Sequence, residues 1–449
     1  MTTKNNGGNS LSRPMNNNRR SPPMKILWIG GTSCLTRTYI NEYGYEGLML
    51  VGQESERPSW MATAENGSHC NNYISCDLTK LKSPIDANND ILSSLPPVEM
   101  EIQCIIVGIR PKLVHPNVYC EETKNVIVGL ELLLEQACHR YAKTLKYILH
   151  ISSVAAVNHL QAQHLVKEED DDGSTTLPSS AFLVAPYDVF KRNCEIVVER
   201  ICNNHNNKKK EKESVDIDGN GIGTDTHQQQ EELKYTNLRI SAIFSDDDEK
   251  CIQCNALKVQ CRVGCYVPHP IDCNSSLNVS RAIHTMIQRA LNVPRATTST
   301  KTRTSAQIGQ QEKPLHSLYY YTRPLSLLKV PIPYGEYLVY YRRAYGITSR
   351  TSIWVPMFIM TWFVTIVHWI AHTIKRRCRI WIPYLDSIDY LLQVSIREHS
   401  FDNTRFFTDF GSSFKEESIL ECFQRIRRKQ QRQVEDDAYG RSITNKKIE

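Results

Sequence analysis

Five short, mostly apolar runs mark the first third of the chain. They are Lys25-Ile-Leu-Trp-Ile29, Leu48-Met-Leu-Val51, Ile74-Ser-Cys-Asp77-Leu78-Thr79, Cys104-Ile-Ile-Val-Gly108 and Leu145-Lys-Tyr-Ile-Leu-His-Ile-Ser-Ser153. A strand covered on both faces shows such a run instead of polar–apolar alternation. Stretches with helical spacing lie between them: Leu35 to Tyr43, and one opening at Asn125-Val-Ile-Val-Gly129. Strands that alternate with helices require right-handed crossovers. The fold class is therefore α/β, a doubly wound parallel sheet.

The first strand runs into Gly30-Gly31-Thr32-Ser33 and then into a helix. That order suits a dinucleotide pyrophosphate, because backbone N–H groups and the positive helix end face the phosphates. Glycine lets the backbone approach closely. The full fingerprint is Gly-x-x-Gly-x-x-Gly. Here Gly30 is kept, while Ser33 and Thr36 hold the other two glycine positions. Taken alone, the turn reads equally as a cofactor site or a plain turn.

Downstream, Pro-Tyr187-Asp-Val-Phe-Lys191 places a tyrosine and a lysine four residues apart. On a helix such residues share a face. A tyrosine titrates near pH ~10, and a neighbouring cation favours its phenolate. With a hydroxyl from Ser153, or from Ser152 next to it, this arrangement suits proton transfer to or from a hydroxyl or carbonyl. The competing reading is an ordinary helix turn.

The ordered set Gly-Gly-Thr, Asp77-Leu78, Asn125-Val-x-x-Gly129, Ile-Ser-Ser153 and Tyr187-x-x-x-Lys191 resembles the extended short-chain dehydrogenase/reductase family. The likeness covers roughly Met24 to Leu291. Leu238-Arg-Ile-Ser-Ala-Ile-Phe244 resembles the family's strand after the catalytic helix, and Ile271 to Ala282 resembles its segment over the substrate cleft. The resemblance implies an NAD or NADP cofactor. Gly30, Gly31 and Ser33 would line its pyrophosphate, Asp77 and Leu78 its adenine, and Gly108 the turn after the fourth strand. Ser153 would polarise the substrate oxygen and Tyr187 would act as general acid/base. Lys191 would hold the nicotinamide ribose and tune Tyr187. An acid after the second strand is not evident, since Gly52 and Gln53 stand there, so NAD versus NADP stays open. Thr36 and Gly52 also fit a domain that kept its sheet and lost its chemistry.

Ile353 to Ile374 carries no acid, lysine or arginine, and tryptophans lie at both ends. A bilayer span needs ~20 such residues, and aromatic residues gather at membrane interfaces. Arg342, Arg343 and Arg350 precede the segment; Lys375, Arg376, Arg377 and Arg379 follow it. Beyond it, His399 to Gly411 resembles the family's closing motif, which packs on the same body as the substrate cleft. A true span would strand that motif across the bilayer. The expectation is a monotopic or re-entrant insertion, with every globular part on the cytosolic side of the endoplasmic reticulum. This layout resembles the 3β-hydroxysteroid dehydrogenase branch and its sterol-4-carboxylate relatives. It implies an apolar, sterol-like substrate and a membrane surface as partner, and allows a homodimer. The alternatives are a nucleotide-sugar epimerase or dehydratase, and a non-catalytic membrane-bound Rossmann protein.

The chain has 449 residues, room for two to three domains at ~100–200 residues each. The boundaries read as an arm at 1–23, a dinucleotide-binding domain at 24–245 with an insertion at 203–233, and a substrate domain at 246–345. An apolar segment follows at 346–380, a closing segment at 381–424 and a charged tail at 425–449. The net charge of +6 mixes both signs, and no base-reading motif points to nucleic acid. Met1 to Pro23 lacks the apolar core of a secretory signal. Lys167 to Ser180 reads as a solvated loop, Asn203 to Leu233 as a looped-out segment and Ala296 to Pro314 as a linker. Asp216-x-Asp218-x-Asn220-Gly221 imitates a calcium loop, but His227 stands where the closing glutamate belongs. Cys251, Cys254, Cys261 and Cys265 suit apolar fillers on one helix better than a zinc site. His368 and His372 share a helix face with no acid beside them, so no metal is expected. Sequons at Asn66, Asn274 and Asn278 would go unused.

Overall fold

The computed structural model describes residues 24–54, 72–81, 95–109, 116–157, 163–168, 186–217, 231–245, 252–263, 265–266, 271–291, 315–324, 332–348, 353–374, 377, 399–411 and 413–446. In chain order the elements are β1 (Ile26–Ile29), α1 (Cys34–Tyr43), β2 (Leu48–Gly52), β3 (Tyr73–Ser75), β4 (Cys104–Val107), α2 (Pro116–Arg140) and β5 (Tyr147–Ser153). Then come β6 (Gln163–Val166), α3 (Pro186–Ile217), β7 (Lys234–Ile240), β8 (Ala242–Phe244), α4 (Ile252–Val263), β9 (Cys265–Tyr266), β10 (Cys273–Ser275) and α5 (Ser276–Ala290). The last are β11 (Leu318–Tyr321), α6 (Tyr334–Tyr345), β12 (Ile353–Trp354), α7 (Met357–Thr373), β13 (His399–Phe401), α8 (Thr404–Phe410) and α9 (Ile419–Lys446).

Seven strands form one sheet in the order β11-β7-β5-β4-β1-β2-β3, and every neighbouring pair is parallel. The chain winds outward from β1 to β3, then returns to place β4 on the other side of β1. The order reverses between β1 and β4, the kind of switch point beyond which open α/β sheets bind their ligands. The apolar runs become strands because both faces are covered. Leu27, Ile105, Val107 and Ile148 pack under α2 and α3, while Trp28, Leu50, Ile106 and Leu149 pack under α1 and α5. A third core joins α4, α6 and α9 around Phe244, Leu257, Tyr341 and Phe423. Asn274 and Asn278 are fully buried, so neither sequon is accessible.

Several expected boundaries move. The Leu238–Phe244 run splits at Ser241, whose hydroxyl donates to the Thr322 carbonyl at 2.5 Å. β7 stays in the main sheet and β8 pairs with β10. The third strand ends at Ser75, and Asp77 instead caps a short 3-10 turn at Leu78–Lys80.

The segment from Asn203 is not looped out at its start, because α3 continues to Ile217. Its lysines and glutamates are good helix formers. Asn206 also ties it to the next strand: its amide donates to the Leu233 carbonyl and accepts from the Leu233 amide, both at 3.0 Å. The loop from Lys167 is not solvated at Glu168. That side chain is buried and accepts from the Tyr320 amide of the edge strand at 3.0 Å.

The apolar segment is not one element. Ile353 and Trp354 pair with Cys265 and Tyr266, and only after Pro356 does the 17-residue α7 begin. No helix among the described residues is long and apolar enough to cross a membrane. The four spaced cysteines do not share a helix: Cys254 and Cys261 lie on α4, Cys265 on β9, and Cys251 lies outside the described residues. The closing motif packs on the main body, with β13 beside β6 and α8 against β11. The expectations for Met1–Pro23, Asn66, Ala296–Pro314 and the Asp216 loop past Ile217 fall outside the described residues.

Candidate active site

The turn after β1 is shaped by its own packing. Gly30 has φ +81, and a Cβ there would lie 2.7 Å from the Gly108 carbonyl oxygen. The β1 and β4 turns therefore touch backbone to backbone, which only glycine permits. The amides of Gly30 and Gly31 both donate to the Val51 carbonyl, at 2.8 and 3.0 Å. They are thus unavailable to a phosphate, and an anion would rest on the N-terminal end of α1. No acid lies in that helix's first turn to repel one.

Ser33 caps α1, its Oγ accepting from the Thr36 amide at 3.2 Å and sharing a hydrogen bond with the Thr36 hydroxyl at 2.9 Å. The residues that replace two fingerprint glycines thus form a capping pair. Behind them, Trp28 is fully buried and its Nε1 has no hydrogen-bond partner. A Cβ on Gly108 would lie 2.8 Å from that nitrogen. An orphaned donor beneath the turn, together with a positive helix end, fits a bound dinucleotide.

On the adenine side the fit is less open. Asp77 Oδ1 accepts from the Thr79 amide at 3.1 Å, the Thr79 hydroxyl at 2.7 Å and Gln53 Nε2 at 3.2 Å. Leu78 is buried, and its carbonyl lies against Gly129 of α2, where a Cβ would come within 2.0 Å. Both residues therefore hold the scaffold, whatever they also contact.

Lys191 and Tyr187 stand on α3, which packs against β5 and the turn that follows it. Lys191 is buried, and its Nζ donates to the carbonyls of Ile109 at 3.0 Å and Ile151 at 3.1 Å. These carbonyls lie towards the C-terminal ends of β4 and β5, so the ammonium is fixed beside those strand ends. Tyr187, one helical turn earlier, is half-exposed and stands about 6 Å further out along the axis.

The two serines differ. Ser152 Oγ donates to Glu195 Oε1 at 2.5 Å under α3. Ser153 ends the strand, pairs in register with Ile240 and faces the other side by strand alternation. The structure therefore fixes Ser152 in the core and leaves Ser153 as the serine at the strand end.

Sequence reading missed the groups behind the pair. Glu195, buried on α3, accepts from Arg239 Nε at 2.8 Å, Arg239 Nη2 at 2.7 Å and Arg192 Nη1 at 3.0 Å. Burial works to raise its pKa, but the Arg239 guanidinium prevails and holds it down at about 2. His150 is also fully buried. Its Nδ1 shares a hydrogen bond with Asn237 at 3.0 Å, and its Nε2 has no partner. Burial, and then the Lys191 cation, push its pKa down to about 4. A signal existed for Glu195: it falls at i+4 from Lys191, and Arg239 interrupts an apolar strand, where a charge needs a partner.

A polar cavity of about 320 Å³ opens between Lys167, Glu168, His316, Arg405 and Asp409. None of the predicted site residues lines it. Among the described residues no cluster could hold a metal ion.

No family model matches the sequence, and neither does any curated protein. The fold does match solved structures. The human epimerase family protein SDR39U1 (isoform 2), solved with NADPH, is 9% identical over 90% of this chain and 99% of its own, with a TM-score of 0.50. The Bordetella bronchiseptica enzyme WbmH in complex with NAD+ is 10% identical over 90% and 96%, with a TM-score of 0.51. A short-chain dehydrogenase/reductase superfamily protein from Agrobacterium tumefaciens with bound NAD is 10% identical over 92% and 99%, with a TM-score of 0.50. At such identities the likeness is one of fold. The chain folds as a Rossmann-like α/β protein, similar in architecture to epimerase and short-chain dehydrogenase/reductase structures solved with NAD or NADPH bound.

Proposed function

We propose that the protein is an NAD(P)-dependent oxidoreductase of the extended short-chain dehydrogenase/reductase kind, acting on the hydroxyl of a 3β-hydroxysteroid or related sterol alcohol. The observation that supports it most is the Lys191 ammonium, held by the Ile109 and Ile151 carbonyls at the strand ends with Tyr187 one turn further out. A bound dinucleotide would supply the acceptor for the hydride of the carbinol carbon. Tyr187 takes the hydroxyl proton on its phenolic oxygen, and the product is a ketone. Lys191 holds its positive charge at the strand ends, one helical turn from Tyr187. Two of its three N–H groups are used by the carbonyls, which leaves one for a ribose hydroxyl. Ser153, at the end of β5, orients the substrate oxygen. Gly30, Gly31, Ser33 and Gly108 shape the pyrophosphate side, and Asp77 and Leu78 the adenine side.

The apolar substrate class is supported by α7. Phe358, Ile359, Trp362, Phe363, Trp369 and Ile370 are all substantially exposed, while Val364 on the opposite side is buried. Spacings of four and seven residues put these rings on one face. Such a helix lies flat in the headgroup region without crossing it, and a sterol dissolved in the bilayer would reach the enzyme there. We place the protein on the endoplasmic reticulum surface with the catalytic body cytosolic.

The test is turnover by purified protein in detergent with each nicotinamide cofactor, using cholesterol in one panel and UDP-sugars in another. Reduction of nicotinamide with cholesterol alone, lost in Tyr187→Phe while cofactor binding persists, is the expected result. Turnover confined to UDP-sugars would replace the sterol reading with an epimerase-like one. Turnover unchanged in Tyr187→Phe would remove Tyr187 from the mechanism.

A further inference from the structure

A row of polar side chains crosses the sheet one residue below Ser153. Ser152 of β5, Arg239 of β7 and Tyr320 of β11 are register partners on adjacent strands. All three are buried. Arg239 Nη1 donates to the Tyr320 hydroxyl at 2.8 Å, and its other nitrogens grip both oxygens of Glu195. Glu195 closes the row from above, accepting also from Ser152 and Arg192. One carboxylate therefore links α3 to two strands of the sheet through directional bonds.

Those bonds act where apolar packing is weakest as a locator. Apart from the Lys191 bonds to the Ile109 and Ile151 carbonyls, much of the α3 contact, through Phe190, Cys194, Val197 and Val198, is apolar. Hydrophobic contact is non-directional and fixes burial better than it fixes the sliding of a helix along its axis. A bidentate carboxylate–guanidinium pair fixes both distance and angle. Glu195 lies one turn from Lys191 and two from Tyr187 along the same side of the helix. A shift of α3 along its axis would carry both of those groups away from the strand ends.

We propose that Glu195 is a positioning residue: by clamping α3 to Ser152 and Arg239, it sets the height at which Lys191 and Tyr187 meet the nicotinamide half of the cofactor. This rests on the functional reading above. Glu195 touches neither substrate nor cofactor and acts only through the helix. The adenine half would be held by residues on the β1–β3 side, such as Asp77 and Leu78, out of its reach.

That division supplies a test that needs no substrate. Binding of reduced nicotinamide dinucleotide (by its fluorescence) and of ADP (by calorimetry) is compared in the full-length protein and in Glu195→Gln. The expected result is at least about a ten-fold loss of dinucleotide affinity, the effect of one lost hydrogen bond to a charged group, with ADP affinity unchanged. A variant that binds both ligands as wild type does, or loses both equally, overturns the inference alone. Should Glu195→Gln fail to fold, Glu195→Met/Arg239→Met leaves neither of those charges buried without its partner. That variant is expected to fold and bind ADP yet remain weak for the dinucleotide; full recovery of dinucleotide affinity overturns the inference. A wild-type protein that binds no dinucleotide sinks the proposed function, and this inference with it.

Discussion

The Lys191 ammonium donates to the Ile151 carbonyl at 3.1 Å, two residues before β5 ends at Ser153. With the Ile109 bond, the lysine ties the ends of two adjacent strands together. Lys191→Met keeps the length of the side chain and removes its donors. Each buried carbonyl left unpaired costs ~1–3 kcal/mol, so urea denaturation should show a clear loss of stability alongside loss of turnover. Stability equal to wild type would mean that the carbonyls do not depend on this lysine.

Ser152 and Ser153 should separate cleanly. Ser152→Ala removes a hydrogen bond to a buried carboxylate and is expected to cost ~1.5–3 kcal/mol of stability. Its turnover should fall less than that of Ser153→Ala, which should lose turnover with a stability change within about 1 kcal/mol. Thermal unfolding and steady-state rates on the same preparations decide the matter. The reverse pattern would move the catalytic assignment to Ser152.

How much of this was legible depends on the range of the interaction. The strands were readable because burial on both faces writes itself into consecutive residues such as Cys104-Ile-Ile-Val107. The Tyr187/Lys191 pair was readable because i, i+4 spacing is local. The Glu195–Arg239 clamp spans 44 positions and shows itself only once the strands are in register. Asp77 illustrates a second limit. An aspartate at a strand end reads as a ligand group, yet here it also caps a turn, and no spacing distinguishes the two uses. Composition misled at Asn203, since the same lysines and glutamates that look like a solvated insertion also favour helix. It misled again at Ile353–Ile374, where Pro356 divides an unbroken apolar run into a strand and a helix.

Gly129 is a packing requirement. A Cβ there would fall 2.0 Å from the Leu78 carbonyl oxygen, a backbone atom that cannot rotate aside. Gly129→Ala must push α2 off the Leu78–Lys80 turn, and the expected loss is at the upper end of overpacking costs, about 3 kcal/mol. Circular dichroism melts should show it. Because Asp77 and Leu78 sit on that turn, ADP affinity should fall with stability. A melt within a degree of wild type would contradict the contact.

Acid sensitivity follows from His150. Burial, then Lys191, lower its folded pKa to about 4 from an ordinary 6.5. The unfolded chain therefore binds a proton that the native state refuses. Stability from this group is complete above about pH 6.5 and is lost as pH falls through about 4, a total of ~3 kcal/mol. His284, lowered to about 4 by burial, adds to the same window. Denaturant midpoints across that range should fall less steeply in His150→Asn than in wild type. Parallel slopes would assign the acid sensitivity to other groups.

The exposed rings of α7 give the membrane proposal a direct measurement. Trp362 is 68% exposed and Trp369 is 66% exposed, seven residues apart and so on one face. Full burial of a large apolar side chain contributes ~1.5–3 kcal/mol, which is about ten-fold or more in partitioning for each. Wild-type protein should therefore float with phosphatidylcholine vesicles, and more strongly when phosphatidylserine is added, since the exposed Arg343 stands in the last turn of the helix before this segment. Trp362→Ser/Trp369→Ser should fall out of the floating fraction while its melting temperature stays put, because neither ring is part of a core. Equal flotation of the variant and the wild type would mean that α7 does not meet the bilayer through this face. No flotation of either would leave the helix without a membrane role.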